Sequence, residues 1–163
     1  MDRVAALFVD PRGIYSTLAN VDCWGPDRDA TTYAGALPVV AHPPCARWCR
    51  LAGLVEARWG YKRGEDGGLF ASALASVRRW GGVLEHPAYS DAWGRYGLPT
   101  PPFGGGWQRG FCGGWACHVE QGKYGHRAKK GDMAVSVRRR SAEVDALGRL
   151  LGSGAWAGLV VRE

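Results

Sequence analysis

The sequence predicts an α/β fold with a Rossmann-like, largely parallel sheet and helices on both faces. Short apolar runs of strand length alternate along the chain with amphipathic helical segments, which is the pattern of parallel strands joined by crossover helices. Several of these runs stop at an aspartate or a proline, as buried strands do when they enter loops. The length of 163 residues suits a single domain, residues 1–163.

The first three predicted strands lie in the first 41 residues. Val4–Val9 is apolar and runs into a turn at Pro11 and Gly13, and Val21–Trp24 is a second short strand. Leu37–Ala41 is a third apolar run that two prolines interrupt.

An amphipathic helix and a short strand follow. Apolar residues recur at helical spacing from Leu69 to Val77, and two arginines occupy the last turn before a glycine pair. Val83–Glu85 is the next strand. A short helix over Ser90–Tyr96 and a loop over Leu98–Gly106 come after it.

The remaining chain predicts two strands and a final helix–strand pair. Trp115–Glu120 and Met133–Val137 resemble strands and flank a basic turn, Lys123–Lys130. A helix over Ser141–Leu151 and a strand over Trp156–Val161 end the sequence.

Composition bounds the function. The net charge is +6, which favours a polyanionic partner such as DNA or a nucleotide. The sequence has no apolar run long enough to span a membrane and no recognisable signal peptide, so we expect a cytoplasmic protein without a membrane partner. Its five cysteines are then expected to be thiols.

Polar side chains follow several of the predicted strands. Asp10, the loop Asp27–Asp29, Cys45 and Glu85 each come at or just after a strand end. In open sheets of this class, ligands bind beyond the carboxyl ends of the strands. The sequence therefore predicts one site that contains these residues.

Cys45 is the predicted nucleophile of that site. Two prolines precede it and stiffen the backbone that carries the thiol, and Arg47 and Arg50 could favour the reactive thiolate. A buried structural cysteine explains Cys45 equally well when it is considered alone. Glu85 favours the catalytic interpretation, because a carboxylate at the end of an apolar strand is costly to bury without a partner or a role. A structural ion pair with an arginine is the alternative for Glu85.

An ordered set of motifs resembles the C5-cytosine methyltransferase family. Pro-Pro-Cys45 and the segment LEHP that contains Glu85 are similar to the family's PC and ENV motifs, and Gly60–Val83 is similar to the segment between them. Lys123–Val137 resembles the basic hairpin of the family. Leu7–Gly13 is similar to a shortened cofactor loop, and Asp27–Tyr33 takes the place of the acidic ribose-binding segment.

The resemblance implies a methyltransferase-like three-layer sandwich that acts on a pyrimidine in DNA or in a nucleotide, with S-adenosylmethionine as cofactor. The implied catalytic residues are Cys45, Glu85, Arg127 and Lys129. Those implied to bind the cofactor are Asp10, Gly13, Asp27 and Asp29. Those expected at the substrate are Pro44, Arg47, Trp48 and His86.

The chain departs from the family pattern at several points. Pro11, Arg12 and Gly13 replace a longer glycine pattern, and His86 and Pro87 follow the glutamate in place of Asn-Val. The short stretch after Val137 leaves no room for a separate target-recognition domain. We then expect either that a homodimer mate or a partner protein supplies target recognition, or that the substrate is smaller or less specific. The minimal size suits a phage-encoded member of the family.

Three alternatives remain at this stage. Thymidylate synthases also attack C6 of a pyrimidine with a cysteine, so a cofactor-independent pyrimidine-modifying enzyme would share this chemistry. A degenerate fold that only binds DNA or protein would suit the basic tract 138–140 and the tryptophans. A structural zinc site is the third alternative; its ligands would come from Cys45, Cys49, Cys112, Cys117 and His118.

Overall fold

The computed structural model describes residues 3–100, 102–104, 106–110, 114–120 and 131–137. The strands are β1 (Val4–Leu7), β2 (Val21–Trp24), β3 (Val39–Ala41), β4 (Gly82–Pro87), β5 (Gln108–Arg109), β6 (Gly114–Glu120) and β7 (Gly131–Val137). The α-helices are α1 (Ala52–Trp59), α2 (Leu69–Trp80) and α3 (Asp91–Arg95). Three short 3-10 turns cover Ile14–Thr17, Pro26–Arg28 and Ala30–Thr32.

The strands form one mixed sheet in the order β2-β1-β3-β4-β7-β6-β5. The first four strands in this order are parallel, which confirms the predicted α/β class. The other three pair antiparallel, so the prediction of a largely parallel sheet holds for β1–β4 alone. Antiparallel neighbours such as β6 and β7 need no crossover helix to be paired.

Helix α2 covers one face of the parallel strands. Its buried residues Phe70, Ala73, Leu74 and Val77 lie at helical spacing, and α2 contacts β3 and β4. The sheet residues in the same core are Ala5, Leu7, Val39, Ala41 and Leu84. This periodicity is the signal that predicted the helix, and the structure confirms it.

The opposite face of the sheet carries the 3-10 turn Ile14–Thr17. Tyr15 from this turn contacts His42, which directly follows β3. The predicted helix Ser141–Leu151 and strand Trp156–Val161 lie outside the described residues. The structure therefore confirms a helix on the face that α2 covers. A helix on the opposite face stays a prediction.

Two glycines allow close packing of the strands and their loops. Gly82 has a φ of +118°, and a Cβ at this position would lie 2.0 Å from the carbonyl oxygen of Val39. Gly25 follows β2, and its Cβ would lie 2.5 Å from the carbonyl oxygen of Val9. A side chain at either position would separate segments that are in contact here.

Helix α1 was absent from the sequence-based prediction. Ala52 is the one buried residue of this helix, and Leu54 and Trp59 are exposed. A helix without a buried apolar stripe lacks the periodicity by which helices are recognised in a sequence. Among the helices of the described part, none is long and apolar enough to cross a membrane.

Candidate functional site

An open cleft lies where the strand order of the parallel sheet reverses direction. The chain passes from β1 to β2 on one side and then crosses back to β3 on the other side of β1. Crevices at such a switch point are the usual ligand sites of open α/β sheets. The cleft has a volume of about 1190 Å³. Its lining includes Asp10, Arg12, Asp27, Asp29, Pro44 and Leu69.

Three of the four residues predicted to bind a cofactor line this cleft. They are Asp10, Asp27 and Asp29, which lie in the loops that follow β1 and β2. The backbone N–H of Arg12 donates to Asp10 at 2.9 Å, and this bond is the main reason that the pKa of Asp10 lies below its usual range. Asp29 accepts hydrogen bonds from Thr31 at 2.6 and 3.1 Å, which lower its pKa. Both carboxyl groups are therefore ionised near neutral pH.

Gly13, the fourth predicted cofactor residue, has a backbone role in the same loop. Its N–H donates to the carbonyl oxygen of Asp10 at 2.9 Å. Its φ of −79° is accessible to other residues. The tight turn after β1 depends instead on Phe8, which has a φ of +59° and lines the cleft.

The predicted nucleophile, Cys45, is next in the chain to a residue that lines the cleft. Pro44 belongs to the cleft lining, and the half-buried Cys45 is the next residue. The carbonyl oxygen of Cys45 accepts the N–H groups of Trp48 and Cys49, both at 2.9 Å. Cys45 thus begins a helical turn directly after a rigid Pro-Pro segment.

The arginines near Cys45 stack on aromatic rings. The guanidinium of Arg47 lies 4.0 Å from the ring centre of Tyr61, and that of Arg50 lies 4.9 Å from the ring centre of Tyr89. These contacts are cation–π interactions. The guanidinium groups are thus held against Tyr61 and Tyr89. Activation of the Cys45 thiol by either arginine stays a prediction.

Glu85 belongs to a hydrogen-bonded chain that the sequence did not suggest. Its Oε2 lies 3.1 Å from Nδ1 of His42, and Nε2 of His42 lies 2.7 Å from the hydroxyl of Tyr15. Glu85 thus has a histidine partner, and the structural ion pair with an arginine stays an alternative. His42 also follows a predicted strand directly, so the signal that selected Cys45 could have selected His42 as well.

His86 and Trp48 lie in the core rather than at an open surface. His86 is 1% exposed and packs edge-on against Phe70 and Trp93. It is on the α2 face, because side chains alternate along a strand and Glu85 points to the other face. Trp48 is 3% exposed, and its indole N–H donates to Asp66. Both rings are buried in the core, and contact of either one with a substrate stays a prediction.

Comparison with protein-family models, curated proteins and solved structures found no match to this chain.

The remaining predicted residues lie partly outside the described part of the chain. This applies to Arg127 and Lys129 of the basic hairpin and to Cys112 of the alternative zinc site. Cys117 is buried, and the described residues contain no cluster of three or more His, Cys, Asp or Glu side chains suited to a metal ion. A zinc site built from described residues alone is thus absent.

Proposed function

We propose that this protein is a C5-pyrimidine methyltransferase-like enzyme that uses Cys45 as its nucleophile. One observation carries the proposal: Pro44 lines the cleft that Asp10, Asp27 and Asp29 also line, and Cys45 is the next residue. The group that would attack a pyrimidine is then adjacent to a cleft suited to a nucleoside cofactor. We also propose that the parallel sheet belongs to a Rossmann-like methyltransferase sandwich.

The cleft fits the general requirements of S-adenosylmethionine. Carboxylates such as Asp27 and Asp29 can accept hydrogen bonds from ribose hydroxyls and attract the positive charge of the cofactor. Phe8, Pro26 and Leu69 provide apolar wall for a base. The absence of a side chain at Gly25 lets the loops after β1 and β2 meet at this wall. When bound, the cofactor would supply an electrophilic methyl group.

The chemistry of the chain's own residues follows from Cys45 and Glu85. The Cys45 thiolate forms a bond to C6 of the pyrimidine, and the C5–C6 double bond opens as its electron pair moves toward C5 and N3. A proton on N3 stabilises this charge, and the carboxyl group of Glu85 is its proposed source. Once C5 carries the methyl group, water takes the C5 proton, the C6–S bond breaks to regenerate the thiolate, and N3 returns its proton to Glu85, which restores the aromatic ring.

A basic and aromatic surface next to Cys45 supports DNA rather than a free nucleotide as the substrate. The segment 47–63 carries five arginines or lysines and a single glutamate. Leu54, Trp59 and Tyr61 are exposed in the same segment. Cationic side chains bind phosphates, and exposed aromatic rings can stack on unpaired bases.

The same surface favours a second candidate function, a nucleic-acid-binding module without catalysis. Only the reactivity of Cys45 separates the two candidates. A module of this kind would retain its DNA affinity when Cys45 is replaced by serine.

Covalent trapping tests the proposal. An oligonucleotide that contains 5-fluorocytosine should form a denaturation-resistant adduct with the wild-type protein in the presence of S-adenosylmethionine, because fluorine at C5 blocks release. Cys45→Ser should remove the adduct. Cys49→Ser is the matched control and should retain it, because Cys49 lies one helical turn further along the chain. No adduct with the wild type, or an adduct with Cys45→Ser, would contradict the proposed chemistry.

A further inference from the structure

Tyr15, His42 and Glu85 come from three different elements and meet on the sheet face opposite α2. Tyr15 belongs to the 3-10 turn after β1, His42 follows β3, and Glu85 lies in β4. The imidazole of His42 joins the other two side chains, at 2.7 Å from the Tyr15 hydroxyl and 3.1 Å from the Glu85 carboxylate. Such convergence at the carboxyl ends of parallel strands is typical of functional groups.

The degree of burial allows this chain of side chains to exchange protons with a ligand. The side chain of His42 is 29% exposed and that of Glu85 is 16% exposed. The two groups are thus shielded enough to interact strongly and open enough to be reached. Burial, followed by the charges of Glu85 and Cys23, raises the pKa of Tyr15. Tyr15 therefore keeps its hydroxyl proton at physiological pH.

An imidazole between a phenol and a carboxylate has two proton positions. With a proton on both ring nitrogens, His42 donates to Tyr15 through Nε2 and to Glu85 through Nδ1. Moving the Nδ1 proton to the carboxylate leaves a neutral imidazole beside a neutral Glu85. In the relay, the hydroxyl oxygen of Tyr15 accepts a hydrogen bond from the Nε2–H group in both states, which fixes the tautomer.

We propose that Tyr15 and His42 form a proton relay that supplies the carboxyl proton of Glu85 to the pyrimidine N3. This inference rests on the proposed function and adds two positioning residues to it. Both residues act through Glu85, and neither needs to touch the substrate.

The proton balance of the relay is as follows. Before the attack, the Glu85 carboxylate takes the Nδ1 proton of His42, which passes from imidazolium to neutral imidazole and keeps its Nε2 proton. When the Cys45 sulfur bonds to C6, the O–H bond of Glu85 breaks and this proton passes to N3, which leaves Glu85 as a carboxylate. When the C6–S bond breaks, N3 releases its proton and the same transfers run in reverse.

The pH dependence of adduct formation distinguishes a relay from a structural hydrogen bond. The titratable groups of the described part that act on this imidazole are Tyr15 after β1 and Glu85 of β4, with Cys23 of β2 acting on Tyr15. We expect His42→Gln to slow adduct formation with the 5-fluorocytosine oligonucleotide about tenfold or more at pH 8. The loss should be smaller at pH 6, where acid from solution can protonate Glu85 instead.

Tyr15→Phe provides a second test that leaves the ring packing intact. It should slow adduct formation less than His42→Gln does, with the same trend in pH. Tyr33→Phe is the matched control, since it removes a tyrosine hydroxyl whose hydrogen bonds within the described part of the chain are to backbone groups of Leu37. Tyr33→Phe should leave the rate and its pH profile unchanged.

The outcomes separate the relay from the function on which it rests. A wild-type protein that forms the adduct together with a His42→Gln variant of equal rate would overturn the relay and leave the proposed function standing. An equal loss at every pH would also overturn the relay, because a purely structural role has no pH trend. A wild-type protein without any adduct would overturn the proposed function and the relay together.

Discussion

The indole N–H of Trp48 donates a hydrogen bond to a carboxylate oxygen of Asp66 at 2.8 Å. The same carboxylate accepts the backbone N–H groups of Gly68 and Phe70, at 2.9 and 2.8 Å. Asp66 thereby caps the N-terminus of α2, whose first N–H groups have no partner within the helix. One side chain thus joins the turn that follows Cys45 to the helix that covers the sheet.

Asp66→Ala should lower the free energy of unfolding by about 2 kcal/mol, since it removes a helix cap and leaves the buried indole N–H of Trp48 without its acceptor. Urea denaturation followed by tryptophan fluorescence measures this change. The control is Glu65→Ala, which removes an exposed ion pair with Lys62 and should change stability by less than about 0.5 kcal/mol. Equal effects of the two variants would contradict the capping role.

Gly82→Ala should destabilise the protein by about 3 kcal/mol or more, because the new Cβ would overlap the backbone of Val39 and the residue has a positive φ. Gly53→Ala is the opposite case. Gly53 lies in α1 with open space around it, so alanine should raise the stability by roughly 0.5 kcal/mol through helix propensity. Thermal unfolding of both variants tests the pair, and a Gly82→Ala protein as stable as the wild type would disprove the close approach of β3 and β4.

The parts of the fold that sequence analysis predicted are those with a buried, periodic pattern. Strands β1 and β3 are continuous buried apolar runs, helix α2 repeats its buried apolar residues at helical spacing, and the structure confirms β1–β4 and α2 within a few residues. Helix α1 escaped prediction because its apolar residues, Leu54 among them, remain exposed. Strand β1 ends at Leu7 rather than Val9 because Phe8 adopts a left-handed conformation, for which a bulky residue gives no sequence signal.

The candidate site was predictable only in part. The sequence analysis predicted one site for Asp10, the loop Asp27–Asp29, Cys45 and Glu85 from their positions after strands. Of these, Asp10, Asp27 and Asp29 line one cleft. The pairing of His42 with Tyr15 and Glu85 depends on register: His42 and Glu85 follow Ala41 and Leu84, which are paired in neighbouring strands. Sequence patterns indicate that strands exist, but not which residues of two strands stand side by side.

Asp22 should make folding stability depend on pH in the acid range. Although partial burial opposes ionisation, hydrogen bonds from Trp24 and Arg28 and the Arg28 charge lower its pKa below the ordinary 3.8. A carboxyl group with a lowered folded-state pKa stabilises the protein above its unfolded pKa, and this contribution is lost as pH falls through the folded value. Asp22→Asn should therefore be less stable than the wild type at pH 6.

The difference between Asp22→Asn and the wild type should shrink below about pH 4, where the carboxyl group of the unfolded wild type also takes up a proton. Urea titrations of both proteins between pH 2 and 6 measure it. A difference that is constant over this range would mean that Asp22 acts through packing and not through its charge.

The basic and aromatic surface of residues 47–63 should dominate the salt dependence of DNA binding. Arg50 and Arg58 are exposed there and stack on Tyr89 and Trp59. Replacing both with glutamine should weaken binding and reduce the slope of log affinity against log salt concentration by about 2, because each lost phosphate contact changes the slope by about 0.9. Fluorescence anisotropy with a labelled duplex between about 50 and 200 mM salt measures both quantities.

The matched control for the surface replaces Arg78 and Arg79 in the last turn of α2. These arginines are exposed as well, and Arg79 also stacks on a ring, that of Trp80. The control removes the same charge from a different part of the surface. If binding depends on residues 47–63, this control variant should keep most of the DNA affinity and most of the slope of log affinity against log salt concentration. Equal losses in the two double variants would mean that DNA responds to the net charge of +6 and not to a defined surface beside Cys45.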